Sequence, residues 1–318
     1  MSKYLNNIPY VSTQTAKKIR KAIKELNYKP SIIARSLTTN RTNTIGLIIW
    51  EITNPFFPDI IKGVEDYATK LGYKILLVDV KDKSELIDSY IDSLKENSVD
   101  GIISASNAIS KKYINNLRKE KFPFVFVSLS SESDFDYVDI DNFKGAYLIT
   151  EYLINLGHKK IAHISGDIKT SDAISRIGGY KRALEENGIK IDEKLLIKGD
   201  FSEKSGFIGA KKLLSLKQKP TAIFCANDFS AYGALDFITK NGYRVPEDIS
   251  VAGFDNLYFS SLNLINLTTI DQPRYKMGAI AAEILINTIK NPKSNKKKEI
   301  ILEPKIIIRK TTKILRKY

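Results

Sequence analysis

Apolar and polar positions follow two recurring patterns along most of the chain. Short, nearly continuous apolar runs rich in Ile and Val predict strands that are covered on both faces, as in a parallel sheet. The first set comprises TIGLIIW (44–50), YKILLVDV (73–80), GIISAS (101–106) and FVFVSL (124–129). Between them, apolar residues recur at helical spacing over 57–71, 83–97 and 109–119. This order predicts a series of βαβ units.

A second series of the same kind follows. Its predicted strands are KIAHISG (160–166), LLIKGDF (195–201), TAIFCAN (221–227) and ISVAGFD (249–255), and its predicted helices cover 174–188, 203–216 and 228–241. Because crossovers between parallel strands are right-handed, we expect two doubly wound α/β sheets with helices on both faces. A helix at 274–290 and the run ILEPKIIIR (301–309) come last and should return to the earlier sheets.

Helix boundaries are marked by capping residues. Asn187-Gly188 and Asn241-Gly242 stand where a left-handed C-terminal cap is expected. Near the N-terminus, Ser12-Thr13 should cap a basic amphipathic helix, TAKKIRKAIKELNY. This helix lacks the large aromatic anchors that are typical of helices lying on a membrane surface.

Polar and aromatic residues follow most of the predicted strands. In open parallel sheets a ligand binds beyond the carboxyl ends of the strands, and two facing sheets would gather these residues into one cleft. The residues are Asn54 to Phe57, Asp141, Asp167 to Asp172, Asp200-Phe201, Asn227-Asp228 and Asp255-Asn256. Carboxylates, an amide, aromatic rings and Arg176 suit a small hydroxylated molecule. The alternative is that each Asp or Asn is a turn or cap residue.

The positive charge lies at the two ends of the chain. The net charge is +14 overall, of which residues 1–43 carry +8 and residues 290–318 carry +9, while residues 44–289 carry −3. A basic N-terminal arm on a nearly neutral body suggests a nucleic acid partner. A solvated, solubilising surface is the alternative interpretation.

Several classes of protein are disfavoured. Cys225, His158 and His163 are too few for a usual zinc site, and the phosphate-loop, dinucleotide-loop, nucleophile-elbow and zinc-helix motifs are absent. No stretch approaches the ~20 apolar residues of a membrane span, and the first thirty residues do not look like a secretion signal. We therefore expect a cytoplasmic protein that has no metal or cofactor and is not an enzyme.

Longer segments of the chain resemble a known family. They are YLNNIPYVSTQTAKKIRKAIKELNYKPSIIARSL, TNTIGLIIWEITNPFFPDIIKGVEDYATKLGY, YVDIDNFKGAYLITEYLINLGHKKIAHISG, PTAIFCANDFSAYGAL, PEDISVAGFDN, LTTIDQP and IIIRKTT. Together they resemble, in order and over nearly the whole chain, the lactose-repressor (LacI/GalR) family of bacterial transcription regulators. The resemblance implies a helix-turn-helix headpiece that reads an operator, a hinge helix in the minor groove, and a periplasmic-binding-protein-like core of two subdomains.

The resemblance also implies domain boundaries. A remnant of the headpiece would occupy 1–29, and the hinge helix and linker 30–43. The N-terminal core subdomain would be 44–142 plus 274–303, and the C-terminal one 143–273 plus 304–318. The chain has no apolar heptads at its C-terminus, so we expect a dimer rather than a tetramer.

The DNA-contacting residues that the resemblance implies lie in the first 41 residues. They are Ser2, Lys3, Tyr4, Asn6, Arg35, Leu37 and Arg41. Leu37 matches a leucine that is wedged between base pairs, and a core contact is its alternative role. Arg35 and Arg41 would contact phosphates, which fix position rather than sequence specificity.

The chain departs from the family at its N-terminus. The family headpiece begins about seventeen residues earlier, with the first helix, the turn and the opening of the recognition helix. Without them we expect operator binding to be weak or lost, because so small a headpiece cannot spare a packing partner. We attribute the difference to a start codon assigned too late. A truncated gene and a sensor that has lost DNA binding are the alternatives.

The family's effector positions map onto residues of the core. They are Phe56, Phe57, Ser128, Asp141, Asp172, Arg176, Phe201, Asn227 and Asp255. Arg176, Asn227 and Asp255 favour a sugar or sugar phosphate over a base, because the family's purine-specific member has glycine in place of the Asn. Replacing Arg176 with Ala should then abolish the effector response and leave folding intact. His158 would be a structural turn residue, and Cys225 a small buried one.

The sequence therefore predicts an effector-responsive, DNA-binding repressor of carbohydrate-related genes. Closure of the cleft on the effector would shift the two subdomains at a dimer interface and reorder the hinge. The alternatives are a sugar sensor without DNA binding, a solute-binding protein that feeds a transporter, and, least favoured, an enzyme.

Overall fold

The computed structural model describes residues 12–26, 41–97, 99–106, 109–128, 135–292 and 297–315. These residues form two α/β lobes, each built on a parallel sheet with helices on both faces. The predicted fold class is confirmed. A basic helix, α1 (Thr13–Glu25), precedes the lobes and is capped by Ser12, whose Oγ accepts the Thr15 amide at 3.3 Å.

The first lobe has a six-stranded sheet in which every neighbouring pair is parallel. Its order is β11-β5-β4-β3-β1-β2, and the strands are β1 (Thr44–Ile49), β2 (Lys74–Asp79), β3 (Gly101–Ala105), β4 (Phe124–Val127), β5 (Asp136–Ile140) and β11 (Glu299–Leu302). One face is covered by α2 (Phe57–Lys70) and α9 (Arg274–Lys290). The other is covered by α3 (Ile87–Glu96) and α4 (Lys111–Glu120), with a 3₁₀ helix at Lys81–Leu86.

The second lobe has a four-stranded parallel sheet in the order β7-β6-β8-β9. Its strands are β6 (Ile161–Ile164), β7 (Leu196–Ile197), β8 (Ala222–Cys225) and β9 (Ser250–Ala252). Helices α5 (Asn142–Asn155) and α6 (Ser171–Glu186) cover one face, and α7 (Glu203–Leu214) and α8 (Asp228–Lys240) cover the other. A separate antiparallel pair joins β10 (Thr269–Asp271) to β12 (Lys305–Ile307).

Within the described residues, the chain passes between the lobes at three places. It leaves the first lobe between β5 and α5, returns between β10 and α9, and leaves again between β11 and β12. The run at 301–309, expected to return to the earlier sheets, supplies a strand to each lobe. Pro304 separates the two strands, because proline has no amide hydrogen to donate to a sheet.

Among the helices that the structure describes, three pairs pack through glycines. A Cβ built on Gly179 of α6 would lie 2.1 Å from the Phe143 carbonyl oxygen of α5. The α2–α9 and α7–α8 pairs have reciprocal contacts of the same kind, through Gly63 with Gly278 and through Gly206 with Gly233. At these positions any side chain would force the two helix backbones apart.

The helix ends agree with the predicted caps. Gly188 and Gly242 follow α6 and α8 with φ of 65° and 79°, in the left-handed region. Within the residues that the structure describes, no helix is both long enough and apolar enough to cross a bilayer.

Candidate functional site

Arg176 lies at the centre of the candidate site, one turn after the start of α6. Its side chain is only 4% exposed, and two of the guanidinium nitrogens, Nε and Nη1, donate hydrogen bonds within the protein. Nε donates to Asn142 Oδ1 at 2.8 Å, and Nη1 donates to the Ala226 carbonyl at 2.6 Å. The guanidinium lies 3.8 Å from the ring centroid of Phe254, a cation–π contact. These contacts hold the charge at a fixed position.

Asp255 provides the carboxylate that faces this arginine. Its Oδ1 lies 3.9 Å from Arg176 Nη1 and accepts the Gln272 amide at 2.6 Å. Burial raises the pKa of Asp255 to about 7, against the opposing effect of the Arg176 charge. Its φ of 123°, followed by 55° at Asn256, is unusual for residues other than glycine. Such strained backbone is retained where the surroundings determine it, often at functional sites.

Asn227 follows β8 and Phe201 follows β7, on either side of the central strand β6 of the second lobe. Asn227 caps α8, because its Oδ1 accepts the Ser230 amide at 2.9 Å, and its Nδ2 donates to the Phe201 carbonyl at 3.0 Å. The Phe201 ring lies against Gly166, where an added Cβ would be 2.0 Å from the ring. It also lies 5.6 Å from the Arg176 guanidinium. The structure therefore brings these predicted residues together.

Asp172 and Asp139 approach this cluster from different lobes. Asp172 is in the first turn of α6, and Asp139 is the buried carboxylate near the end of β5. Burial raises the pKa of both groups, and the Asp172 charge raises the pKa of Asp139 further. Asp139 Oδ1 accepts the Asn142 amide at 3.3 Å, which connects it to Arg176.

The sequence pattern does not single out Asp139 and Asn142 as residues of the site. It points to the neighbouring Asp141 as the effector position. The carboxylate of Asp141 caps α5, since its Oδ1 accepts the Lys144 amide at 2.8 Å near the surface, and its effector role stays a prediction. The signal was present in the run DYVDI (136–140), because a buried aspartate within a parallel strand needs a functional or structural partner. Asp228 is likewise structural: its carboxylate accepts from Ser260, Thr269 and the Leu257 amide.

The predicted first-lobe residues lie at strand ends of that lobe. Phe57 is largely buried in the first-lobe core, and Phe56 is half-buried beside it, with the ring centroids 5.3 Å apart and nearly perpendicular. Ser128 follows β4 with φ of 60°, and its amide donates to the Val138 carbonyl at 3.0 Å. The effector roles of these three residues stay predictions.

The two histidines and the cysteine are buried in the second lobe. His158 links Thr221 Oγ1, at 2.9 Å from Nδ1, to the Lys313 carbonyl, at 3.2 Å from Nε2. His163 stacks on Phe224, and burial lowers its pKa to about 4, so it is neutral. Burial raises the pKa of the Cys225 thiol. Among the described residues no His, Cys, Asp and Glu cluster is arranged for a metal ion.

Of the predicted DNA contacts, only Arg41 falls within the described ranges. Its Nη2 donates to the Ile289 carbonyl at 2.8 Å, near the C-terminal end of α9. Ser2, Lys3, Tyr4, Asn6, Arg35 and Leu37 lie outside the described residues. In α1, Lys17, Lys18, Lys21 and Lys24 are exposed, as predicted for the polar side of this helix.

Comparison with known proteins identifies the family. The profile "Periplasmic binding proteins and sugar binding domain of LacI family" matches residues 42–311, and "Bacterial regulatory proteins, lacI family" matches residues 1–31. The chain belongs to the LacI family. Among curated LacI-family relatives, the HTH-type transcriptional repressor PurR of Vibrio atlanticus is 39% identical over 317 residues, covering 99% of this chain and 95% of that protein. PurR of Photobacterium profundum is 35% identical over similar shares.

Solved LacI-family structures agree. The lac repressor dimer bound to operator and the anti-inducer ONPF superposes with a TM-score of 0.88 at 28% identity, covering 98% of this chain and 94% of that one. The regulator CelR in complex with cellobiose gives 0.77 at 29% identity over the same shares. A LacI-family regulator of Enterococcus faecium with bound ribose gives 0.78 at 33% identity, covering 86% of this chain and all of that one.

The family assignment confirms the predicted resemblance and decides among the protein classes. The curated relatives are repressors of transcription rather than enzymes or transporter components. The lac repressor structure is a dimer bound to operator and an anti-inducer, and the CelR structure is a complex with cellobiose. The domain boundaries given by the sequence stay predictions.

The raised pKa of Asp255 predicts a pH-dependent stability. Between the usual carboxyl pKa and about 7, the folded state binds more protons than the unfolded chain, so this group's contribution is complete below pH 4 and is lost as the pH rises through 7. The amide introduced by Asp255→Asn cannot ionise, so the variant should not lose this stability as the pH rises. Urea unfolding from pH 4 to 8 should show the variant gaining relative to the wild type, by at most about 1.4 kcal/mol per pH unit. Parallel profiles would contradict the raised pKa.

Proposed function

We propose that this protein is an effector-responsive repressor of carbohydrate-related genes whose effector is a small sugar or sugar phosphate. The observation that carries the proposal is the buried cluster of Arg176, Asp255 and Asn227 beside two aromatic rings. Guanidinium, carboxylate and amide groups exchange hydrogen bonds with vicinal hydroxyls, and rings cover the apolar face of a pyranose or furanose.

The charges around Arg176 favour an uncharged sugar within this class. Asp139, Asp172 and Asp255 all interact electrostatically with the Arg176 guanidinium. A phosphate placed there would meet three carboxyl groups and one guanidinium, so its charge would be poorly compensated. Hydroxyl groups can donate to these carboxylates without that cost.

The connection of the site to both lobes supplies a regulatory mechanism. Asn142, which accepts from Arg176, is the first residue of α5 and directly follows a crossover from the first lobe. An effector that reorganises the Arg176 contacts would therefore change the angle between the lobes. A coupling of about 1–3 kcal/mol between effector and operator is enough for regulation.

Operator DNA is the proposed macromolecular partner. The exposed lysines of α1 give the N-terminal segment its positive charge, and this segment matches the DNA-binding part of the family. We place the protein in the cytoplasm, because a bacterial repressor meets its operator there.

Two exposed apolar surfaces support a homodimer. In the second lobe, Tyr258, Phe259, Leu262 and Leu264 are exposed along one short segment, with Leu264 99% exposed. In the first lobe, the edge strand β2 exposes Leu76 and Leu77. An apolar edge strand is prone to unwanted pairing unless a partner covers it. We propose that both surfaces are buried between protomers.

Leu264→Asp should weaken the dimer. The substitution places a charge in a contact that association would bury, at an expected cost of at least about 2 kcal/mol, or roughly thirtyfold in the dissociation constant. Sedimentation velocity over a concentration series measures this change. Ile314→Asp, at another exposed apolar position, is the control. An unchanged dissociation constant for Leu264→Asp would exclude this surface.

The function is tested first in cells. Chromatin immunoprecipitation of the native protein should enrich pseudo-palindromic sites near genes of carbohydrate uptake or breakdown. Fluorescence anisotropy with an enriched duplex should then show a change in affinity on adding ribose, cellobiose or another sugar of a panel. Binding of a sugar without any enriched site would favour the sensor without DNA binding. A response to no sugar in the panel would refute the proposed effector class.

A further inference from the structure

Arg274 connects the two lobes next to the proposed effector site. It is the first residue of α9, which packs in the first lobe, and its Nη2 lies 2.7 Å from Asp59 Oδ2 of α2 in the same lobe. The guanidinium reaches into the second lobe, where Nη1 donates to the Asp255 carbonyl and Nη2 to the Asn256 carbonyl at 3.2 Å. One side chain thus contacts both lobes.

Burying the Arg274 guanidinium costs free energy, which indicates that this side chain does more than fill space. Arg274 is 6% exposed and its Nε has no acceptor among the described residues, so its burial has an unrecovered cost. A cation in the first turn of a helix is also opposed by the helix dipole. Asp59 supplies the opposite charge that makes the arrangement tolerable.

The carbonyls that Arg274 holds belong to the strained Asp255–Asn256 turn. Both residues have φ in the left-handed region. The turn is fixed from the second lobe as well, since Gln272 donates to the Asp255 carboxylate at 2.6 Å and Arg309 donates to Asn256 Oδ1 at 2.6 Å. Of these groups, Arg274 is the one that also pairs with the first lobe.

We propose that Arg274 is a positioning residue, which keeps Asp255 oriented for the effector and, through Asp59, couples the state of the site to the angle between the lobes. The inference rests on the proposed function, because it assigns a regulatory role to that same site. The guanidinium would not itself contact the effector. Moving the first lobe relative to the second would shift Arg274 and hence the backbone of Asp255.

The test separates this coupling from simple destabilisation. Asp59→Asn removes the negative charge but keeps a side-chain oxygen that can accept from Arg274, and this side chain is 55% exposed, so we expect the variant to fold; its unfolding midpoint is measured alongside. Arg274→Met removes the guanidinium and retains an unbranched side chain. Glu65→Gln is the matched control, because Glu65 pairs with Lys62 at 3.0 Å on the surface of α2 and does not reach the second lobe.

The first measurement needs no effector. Ile52→Cys, after β1 of the first lobe, and Lys204→Cys, in the first turn of α7 of the second, would carry spin labels, since both positions are exposed. Cys225 is buried and should not be labelled. We expect the distribution of inter-label distances to broaden in Asp59→Asn and Arg274→Met, and not in Glu65→Gln. Distributions that match the wild type in both variants would overturn the proposal. If Arg274→Met fails to fold, Asp59→Asn decides.

The second measurement uses ribose and cellobiose as probes of the site. For a sugar that the wild type binds, Asp59→Asn should reduce the factor by which that sugar changes operator affinity by about fivefold or more. An unchanged factor would overturn the coupling role of Arg274. If the wild type binds no sugar, the proposed effector class fails, and the label distances still test Arg274.

Discussion

Arg176→Met is expected to abolish the effector response and to destabilise the protein by about 3–5 kcal/mol near pH 8, the typical cost of leaving a buried charge unpaired. The substitution removes the cation facing Asp255, Asp172 and Asp139 and leaves the Ala226 carbonyl without its donor. Operator anisotropy with and without the sugar measures the response, and urea unfolding measures the stability. The buried and hydrogen-bonded side chain argues against the sequence-based expectation that Arg176 can be replaced without affecting folding, and the urea measurement decides between the two.

Arg182→Met on the same helix is the control for this prediction. Arg182 is exposed and pairs with Glu186 at 2.7 Å, so its loss should change the free energy of unfolding by less than about 1 kcal/mol. The decrease in the free energy of unfolding that Arg176→Met causes should be smaller at low pH, because the neighbouring carboxyl groups are then protonated and need no cation. A stable Arg176→Met protein that still responds to the sugar would remove Arg176 from the site.

Gly179→Ala and Gly178→Ala should differ sharply, although they are adjacent in α6. A methyl group on Gly179 would lie 2.1 Å from the Phe143 carbonyl oxygen and 2.8 Å from the Tyr147 nitrogen, both backbone atoms of α5. We expect Gly179→Ala to cost about 3 kcal/mol or more, because the two helices must separate. Since α5 begins at Asn142, the separation should also disturb its bond to Arg176 and weaken sugar binding.

Gly178→Ala meets only the partly exposed Phe143 ring, 3.3 Å away, which can move. Alanine favours the helix by about 1 kcal/mol over glycine, so this variant should be as stable as the wild type or more stable. Thermal and urea unfolding of the two variants side by side provide the measurement. Equal stabilities would show that the α5–α6 pair can open without penalty.

The strand-and-helix order was predictable because strands buried on both faces read as continuous apolar runs, whereas β5 and α5 were missed. In β5, Asp136 and Asp139 interrupt the apolar run, so periodicity alone does not mark it as a buried strand. Polar residues that directly follow an apolar run, such as Asn227 and Asp255, could be identified as strand-end residues from the position of that run. Their partners could not, because these come from distant parts of the chain.

Arg274 is an example of a residue whose partner comes from a distant part of the chain. Its partner Asp59 lies 215 positions earlier in the sequence, and the pair forms only once the second lobe crossing, between β10 and α9, has placed α9 on α2. In the sequence, Arg274 follows a proline at the start of a helix and has no local feature that indicates a partner. Gln272 is similar, since only the folded turn places its amide against the Asp255 carboxylate.

The division of the last strand region between β11 and β12 has a consequence for synthesis on the ribosome. β11 completes the first-lobe sheet beside β5, and β12 pairs with β10, yet both come from residues 299–307. Because the ribosome adds residues in order, at about 5–20 per second, residues 299–307 become available only near the end of synthesis. Both lobes must therefore wait for the same late part of the nascent chain. Neither lobe is complete before the other, and a nascent chain stalled before residue 299 leaves an open edge on each.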